Sequence, residues 1–173
     1  EILLQDAEFF SVFASQFDKD YPAQQLHDSW ETVLLNQFHD ILPGSAIRAV
    51  YDVTKKEYEA LEKDTKALID EKLAVIASHA DAPKNSVLLF NTLSFERSDV
   101  VILPKEMVPT GGLQTQDGEK VPVHKTANGD FAVFAQNIPA KGWLALESAL
   151  PQATVNPFAI SDNAIDTPLY RVA

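Results

Sequence analysis

Apolar residues in the first half of the chain recur every three or four positions, which is the spacing of one helix face. Three segments show this pattern: residues 1–17, residues from about 23 to 40, and residues 45–79. Each segment would bury an apolar stripe against the others. The pattern therefore predicts a three-helix bundle in residues 1–84.

From residue 85 onward the period shortens to two, which is typical of strands. Asp117-Gly118 is a hairpin-turn dipeptide, and Pro122 is expected only in an edge strand. Residues 151–167 show no firm pattern and are interpreted as a linker. Six apolar segments between turn residues are the predicted strands: residues 87–90, 100–103, 113–115, 120–124, 131–135 and 143–147. We predict an α+β protein whose residues 85–173 form a small antiparallel sheet or partial sandwich.

Composition narrows the partners that this chain could have. Its 173 residues carry 14 Lys and Arg against 25 Asp and Glu, a net charge of −11. Acidity of this kind disfavours a nucleic-acid partner. It fits a soluble cytoplasmic protein, or one that handles neutral ligands such as sugars. No apolar run reaches the ~20 residues that span a bilayer, so no membrane partner is expected. The chain has no cysteine and begins without Met, and we expect a fragment of a longer polypeptide.

A polar group sits at the predicted junction of the second and third helices. Gln37, His39 and Asp40 come just before Pro43 and Gly44, which should end the second helix and turn the chain. Ser45 is then expected to cap the third helix. Apolar residues on both sides would hold this polar group at a helix–helix corner.

His39 and Asp40 are the candidate functional residues of that corner. A neutral imidazole suits zinc-like ions, and a neighbouring carboxylate could be a ligand or a substrate contact. A structural role at a helix end is the commoner fate of a single His-Asp pair, because zinc needs three or four ligands. The other histidines, His27, His79 and His124, do not supply them at a recognisable spacing.

The corner sequence Leu-Asn-Gln-Phe-His-Asp-Ile-Leu-Pro-Gly-Ser, residues 35–45, resembles the signature at the start of the middle helical domain of glycoside hydrolase family 38 α-mannosidases. The resemblance continues through residues 46–52, and residues 87–95 look like the opening of that family's C-terminal β-rich region. Phe38 stands where many eukaryotic members have a second histidine. The chain therefore looks like the bacterial, archaeal or cytosolic branch.

The resemblance implies that His39 is a metal ligand, for zinc or another divalent ion, and that Asp40 contacts hydroxyls of bound mannose. It also implies a retaining glycosidase for mannose-containing oligosaccharides, whose nucleophile and acid/base carboxylates come from an N-terminal α/β domain. No catalytic residue is therefore assigned within this chain. Alone, it should neither hydrolyse mannosides nor bind zinc tightly, and homo-oligomerisation is left open.

Two other interpretations remain open from the residues. One is a non-enzymatic carbohydrate-binding or interaction scaffold, and the other is a hydrolase that uses His39 and Asp40 as a general-base pair. Trp143, with Phe131 and Phe134, could form a sugar-stacking platform, although packing in the sheet core is favoured. Exposure of the corner's polar side chains would indicate a further domain, whereas burial within the chain would favour the scaffold.

Overall fold

The computed structural model describes residues 1–18, 20–151, 159–161, 163–167 and 169–172. The chain divides into two compact units, Glu1–Ala82 and Pro83–Ala173. The first unit is helical and the second consists of small antiparallel sheets, so the α+β prediction is confirmed. Within the described ranges, no helix is both long and apolar enough to cross a membrane.

The helical unit contains α1 (Ile2–Asp18), α2 (Ala23–Asn36) and α3 (Arg48–His79). The 32 residues of α3 extend for about 48 Å at the usual helical rise. Helix α1 packs more extensively on α3 than on α2. One buried apolar cluster joins the three helices, and its members are Leu4, Ala7, Leu26, Val33 and Leu68.

The predicted ends of two helices are wrong. Helix α2 stops at Asn36 rather than near residue 40, since the amide of Phe38 donates to the carbonyl of Leu35, three residues back, and the chain then enters turns. Helix α3 begins at Arg48, and its N-cap is Ile47, which makes no side-chain cap. Ser45 instead donates its hydroxyl to the carbonyl of Asp40, 3.3 Å away. Local side-chain bonds of this type compete with helix formation.

Two apolar side chains in the stripe of the second predicted helix are exposed rather than buried. The exposed fraction is 61% for Leu34 and 51% for Phe38. In contrast, Lys72 on α3 is only 1% exposed and lies among the carboxylates of Asp20 and Glu71, at 2.9 and 3.0 Å. A buried ammonium needs such partners, since an unpaired charge is costly away from water. The cluster ties the segment after α1 to α3.

The second unit contains two main sheets. Strands β1 (Val87–Asn91), β3 (Gly112–Thr115), β4 (Lys120–Val121) and β7 (Gly142–Ala149) form one, in the order β1-β7-β3-β4. Strands β2 (Arg97–Leu103), β5 (Val123–Lys125) and β6 (Phe131–Ile138) form the other, in the order β2-β6-β5. All pairings are antiparallel.

Buried side chains from both sheets form one hydrophobic core. The cluster consists of Leu89, Leu103, Val108, Leu113, Val121, Val133, Ala135, Ile138 and Leu146. Pro122 divides the predicted strand 120–124 into β4 and β5, which lie at the edges of different sheets. The carbonyl of Pro122 accepts a bond from the amide of Phe134 at 3.0 Å. Proline lacks an N–H, so an edge position is where a sheet tolerates it.

The segment predicted as a linker is partly structured. A third small sheet joins β8 (Ala159–Ile160), β9 (Ile165–Asp166) and β10 (Arg171–Val172) in the order β10-β9-β8. The linker prediction is therefore wrong for β8 and β9. Its portion at 152–158 lies outside the described residues.

Candidate metal and sugar contact site at the helix corner

Residues 37–47, which we call the corner, connect α2 to α3 through consecutive turns. The amides of Ile41 and Leu42 donate to the carbonyl of Phe38, at 2.9 and 3.0 Å, and the amide of Gly44 donates to the carbonyl of Ile41 at 3.1 Å. Gly44 has φ +88°, a conformation that a Cβ atom would disfavour. The predicted reversal at Pro43 and Gly44 is therefore present.

The side chains of His39 and Asp40 are exposed at this corner, with 78% and 58% of their surface accessible. The Nε2 atom of His39 lies 3.6 Å from Oδ2 of Asp40, which is beyond a hydrogen bond. The imidazole also contacts the ring of Phe38, with 4.1 Å between ring centroids. The helix ends before His39, as a His-Asp dyad would require, but the two groups are not joined as a general-base pair.

The chemistry of these two side chains suits a divalent metal, but two ligands are fewer than a metal site needs. Imidazole nitrogen and carboxylate oxygen are both zinc ligands, and zinc sites take three or four protein ligands. Over the described portion of the chain, no group of three or more His, Asp or Glu side chains is placed to hold a metal. Of the other histidines, His27 pairs with Glu31 at 3.2 Å and His79 stacks on Phe17 at 4.5 Å. The corner could therefore supply only part of a ligand set.

The corner, and the end of α2 just before it, are both attached to α3. On one side, Asn36 is 4% exposed and donates its side-chain amide to Oε2 of Glu57 at 2.8 Å. On the other side, the hydroxyl of Tyr51 accepts the amide N–H of Ala46 at 3.0 Å. Neither attachment was predicted from the sequence, because each joins residues whose contact depends on how α2 and α3 pack.

Exposed apolar side chains lie on either side of the polar pair along the chain. Besides Leu34 and Phe38, Leu35 is 64% exposed, Leu42 is 74% exposed and Ile47 is 73% exposed. Scattered exposed apolar residues are ordinary, but a concentration of large ones in one short segment is typical of an interaction surface. The corner therefore combines two side chains that could contact a metal and a sugar with exposed apolar residues that lie near them in the chain.

The helical unit matches a known family over nearly its full length. Residues 1–76 match the family described as "Alpha mannosidase middle domain". The corner that carries His39 and Asp40 lies within this matched region.

Curated proteins with similar sequences are α-mannosidases of much greater length. Mouse α-mannosidase 2C1 is 37% identical over 109 residues, covering 61% of this chain and 10% of that protein. The human protein of the same name is 36% identical with the same coverage. An α-mannosidase of Saccharomyces cerevisiae is 34% identical over 110 residues, covering 58% of this chain and 9% of its own. The chain thus spans about a tenth of these relatives.

Solved structures reproduce the fold of the chain. A glycosyl hydrolase family 38 protein from Enterococcus faecalis has a TM-score of 0.66 at 17% identity, covering 95% of this chain and 27% of its own. An α-mannosidase from E. faecalis V583 has a TM-score of 0.65 at 16% identity, covering 95% and 25%. The fold that follows the helical unit here therefore also occurs in these proteins.

The aromatic residues that could have formed a sugar-stacking platform lie on different sheets. Phe131 packs against the core, as favoured from the sequence, and Phe134 of β6 is 37% exposed. Trp143 belongs to β7 of the other sheet and lies 6.0 Å from the ring of Phe90. These side chains do not share one face.

Proposed function

We propose that this chain is part of a retaining, metal-dependent α-mannosidase that removes terminal α-mannosyl residues from oligosaccharides. In that enzyme the corner presents His39 to a divalent metal, zinc or a similar ion, and Asp40 to the hydroxyls of the bound sugar. The observation that carries the proposal is the exposure of these two side chains at a corner within the region that matches the α-mannosidase middle-domain family.

The chemistry requires groups that other parts of the enzyme would contribute. A retaining glycosidase uses two carboxylates, one as nucleophile and one as acid/base. A metal ion, when bound, would hold sugar hydroxyls and stabilise charge that develops in the transition state. The task of this chain is narrower: the imidazole of His39 offers a lone pair to the ion, and the carboxylate of Asp40 accepts hydrogen bonds from substrate hydroxyls.

The partners that follow from this proposal are a catalytic domain outside this chain and a mannose-containing oligosaccharide. The exposed Leu35, Leu42 and Ile47 beside the corner support a protein partner there. With at most two ligands in one place, residues 1–173 by themselves should not bind zinc with high affinity. Isothermal titration that gives tight, stoichiometric zinc binding to this chain would contradict that expectation.

The decisive experiment replaces His39 by Ala in the full-length protein and measures hydrolysis of p-nitrophenyl α-mannoside, with and without chelator. We expect the wild-type protein to lose activity with chelator, and the variant to lose at least about a hundredfold in kcat/KM together with its bound metal. His27→Ala is the matched control, because His27 is a 65% exposed histidine of the same unit. Unchanged turnover and metal content in His39→Ala would refute the proposal.

A further inference from the structure

The hydroxyl of Tyr51 is a junction between the corner and α3. It accepts the amide N–H of Ala46 at 3.0 Å, and it lies 3.3 Å from the carbonyl oxygens of both Asp40 and Ile41. A tyrosine hydroxyl has one proton to donate, which the two carbonyls share. One side-chain oxygen therefore connects three backbone groups of the corner.

Tyr51 is itself held in place by α3. Tyr51 is half-buried and lies in the first turn of α3, a helix of 32 residues. The corner itself is mostly exposed, so few buried contacts could fix its conformation. The carbonyl of Asp40 belongs to the same residue as the proposed sugar contact. A hydrogen bond to this carbonyl therefore restricts the backbone position of Asp40 and of its neighbour His39, from which both side chains project.

The other bonds of the corner are less able to fix it. Ser45 also donates to the carbonyl of Asp40 at 3.3 Å, but its exposed hydroxyl reaches this one backbone group alone, whereas the bonds of Tyr51 to Ala46 and Ile41 are partly buried. Gln37 donates to Oε2 of Glu1 at 3.2 Å, again between exposed side chains. Exposed hydrogen bonds compete with water and contribute little. The Asn36–Glu57 bond holds the end of α2, three residues before His39.

We propose that Tyr51 is a positioning residue for the α-mannosidase site. Its hydroxyl holds the corner backbone so that His39 meets the metal and Asp40 meets the sugar, without contacting either ligand itself. The inference rests on the function proposed above. In Tyr51→Phe the ring still packs, but the amide of Ala46 must turn to water, and the carbonyls of Asp40 and Ile41 keep only their bonds from Ser45 and Gly44.

A matched pair of variants tests this inference. Tyr58 lies two turns further along α3 and is 38% exposed, and no hydrogen bond of its hydroxyl is found in the part of the chain that the structure describes. Tyr51→Phe and Tyr58→Phe therefore remove the same atom from the same helix. Only the first should alter the corner.

The first measurement is amide hydrogen exchange on the 173-residue chain. We expect the Ala46 amide to exchange at least about tenfold faster in Tyr51→Phe than in the wild type, because its acceptor is gone. The melting temperature and the exchange of amides in α1 should stay close to wild type. Tyr58→Phe should leave the Ala46 amide unchanged.

The second measurement uses the full-length protein. We expect Tyr51→Phe to lower kcat/KM for p-nitrophenyl α-mannoside by about tenfold. It should also lower the metal affinity by about tenfold, measured by chelator competition well below the melting temperature. Residues that orient a metal ligand typically contribute about tenfold to a hundredfold. A merely structural role would lower the melting temperature and leave metal affinity intact. Tyr58→Phe should stay within about twofold of wild type in both measurements.

The outcomes separate this inference from the proposed function. If His39→Ala abolishes turnover and metal binding while Tyr51→Phe keeps both within about twofold of wild type, the function stands and the positioning role of Tyr51 is overturned. If His39→Ala itself has no effect, the function fails and the inference fails with it. Faster Ala46 exchange together with reduced metal affinity supports the inference.

Discussion

The charge cluster around Lys72 permits a quantitative test of what stabilises the helical unit. The Nζ atom lies 2.9 Å from Asp20, 3.0 Å from Glu71 and 3.8 Å from Asp18, while the lysine side chain is only 1% exposed. The perturbation is the double variant Asp20→Asn with Glu71→Gln. It keeps the size of both partners and removes their charges, so the ammonium stays buried with weaker partners.

The expected magnitude follows from the exposure of the carboxylates. A hydrogen bond to a charged group contributes about 1.5–3 kcal/mol, and one between neutral groups about 0.5–1.5 kcal/mol. Asp20 is 68% exposed and Glu71 is 62% exposed, so screening by water places each loss near the low end, about 0.5–1 kcal/mol. The double variant should therefore lose about 1–2 kcal/mol in the free energy of unfolding.

Lys72→Met is the complementary variant. Methionine fills a similar volume and needs no charged partner, and replacing a buried ion pair by an apolar residue is often neutral. We expect its free energy of unfolding within about 1 kcal/mol of wild type. In this background the substitutions at Asp20 and Glu71 should cost less than about 0.5 kcal/mol, because the charge that they serve is gone.

The assay is urea unfolding of the 173-residue chain followed by far-ultraviolet circular dichroism, which reports on α1, α2 and α3. Wild type, the Asp20 and Glu71 double variant, Lys72→Met and the combination of all three changes form a mutant cycle. Its coupling energy should be about 0.5–2 kcal/mol. If the changes at Asp20 and Glu71 cost the same with and without Lys72→Met, the reasoning is refuted.

The pH dependence of the same cycle gives a second test. Burial lowers the pKa of Lys72, but hydrogen bonds and attraction from Asp20 and Glu71 outweigh it and raise the pKa above the ordinary 10.5. A raised pKa means that the folded chain holds this proton more tightly, so the stabilisation is complete below 10.5 and is lost as pH rises through the folded value. The stability difference between wild type and Lys72→Met should therefore shift against the wild type above about pH 10.5. A difference that stays constant there would contradict the raised pKa.

Three further substitutions test the β unit by urea unfolding followed through tryptophan fluorescence. Gly112→Ala would place a Cβ atom 2.7 Å from the carbonyl oxygen of Leu150, and we expect a loss of about 1–3 kcal/mol. Asn91→Leu removes a buried amide that donates to three carbonyls, which should cost about 1–3 kcal/mol. Leu146→Ala empties a fully buried position, at about 2–5 kcal/mol. A loss below about 0.5 kcal/mol for any of the three would contradict the packing described.

The fold class could be predicted because burial imposes a period on the chain. Apolar spacing identified three helices and the positions of the main strands along the chain. It could not show which other residues each apolar side chain packs against. Leu34 and Phe38 continue the α2 stripe, yet both are exposed. Periodicity likewise joined β4 and β5 into one strand, since the switch between sheets at Pro122 depends on tertiary pairing.

The end of α2 illustrates a second limit of periodic patterns. The apolar spacing continues past Asn36, but the helix ends there, and the side chain of this residue bonds to the carbonyl of Thr32 and to Glu57. The Glu57 bond links positions 21 residues apart, so no local window of sequence contains it. Boundaries that depend on such bonds become visible only in the folded chain.

For the candidate site, the sequence indicated which side chains are involved but not how the backbone holds them, and this limit has a structural cause. In the proposed enzyme the ligand set would be divided between domains and this chain would contribute a single histidine, so spacing alone cannot separate His39 from an ordinary surface histidine. The described structure places no hydrogen bond between His39 and Asp40, whereas the backbone of Asp40 lies near the hydroxyls of both Ser45 and Tyr51. Preorganisation in this chain is therefore a property of the backbone. The side chains keep the freedom that a metal and a sugar, bound from outside, would need in order to orient them.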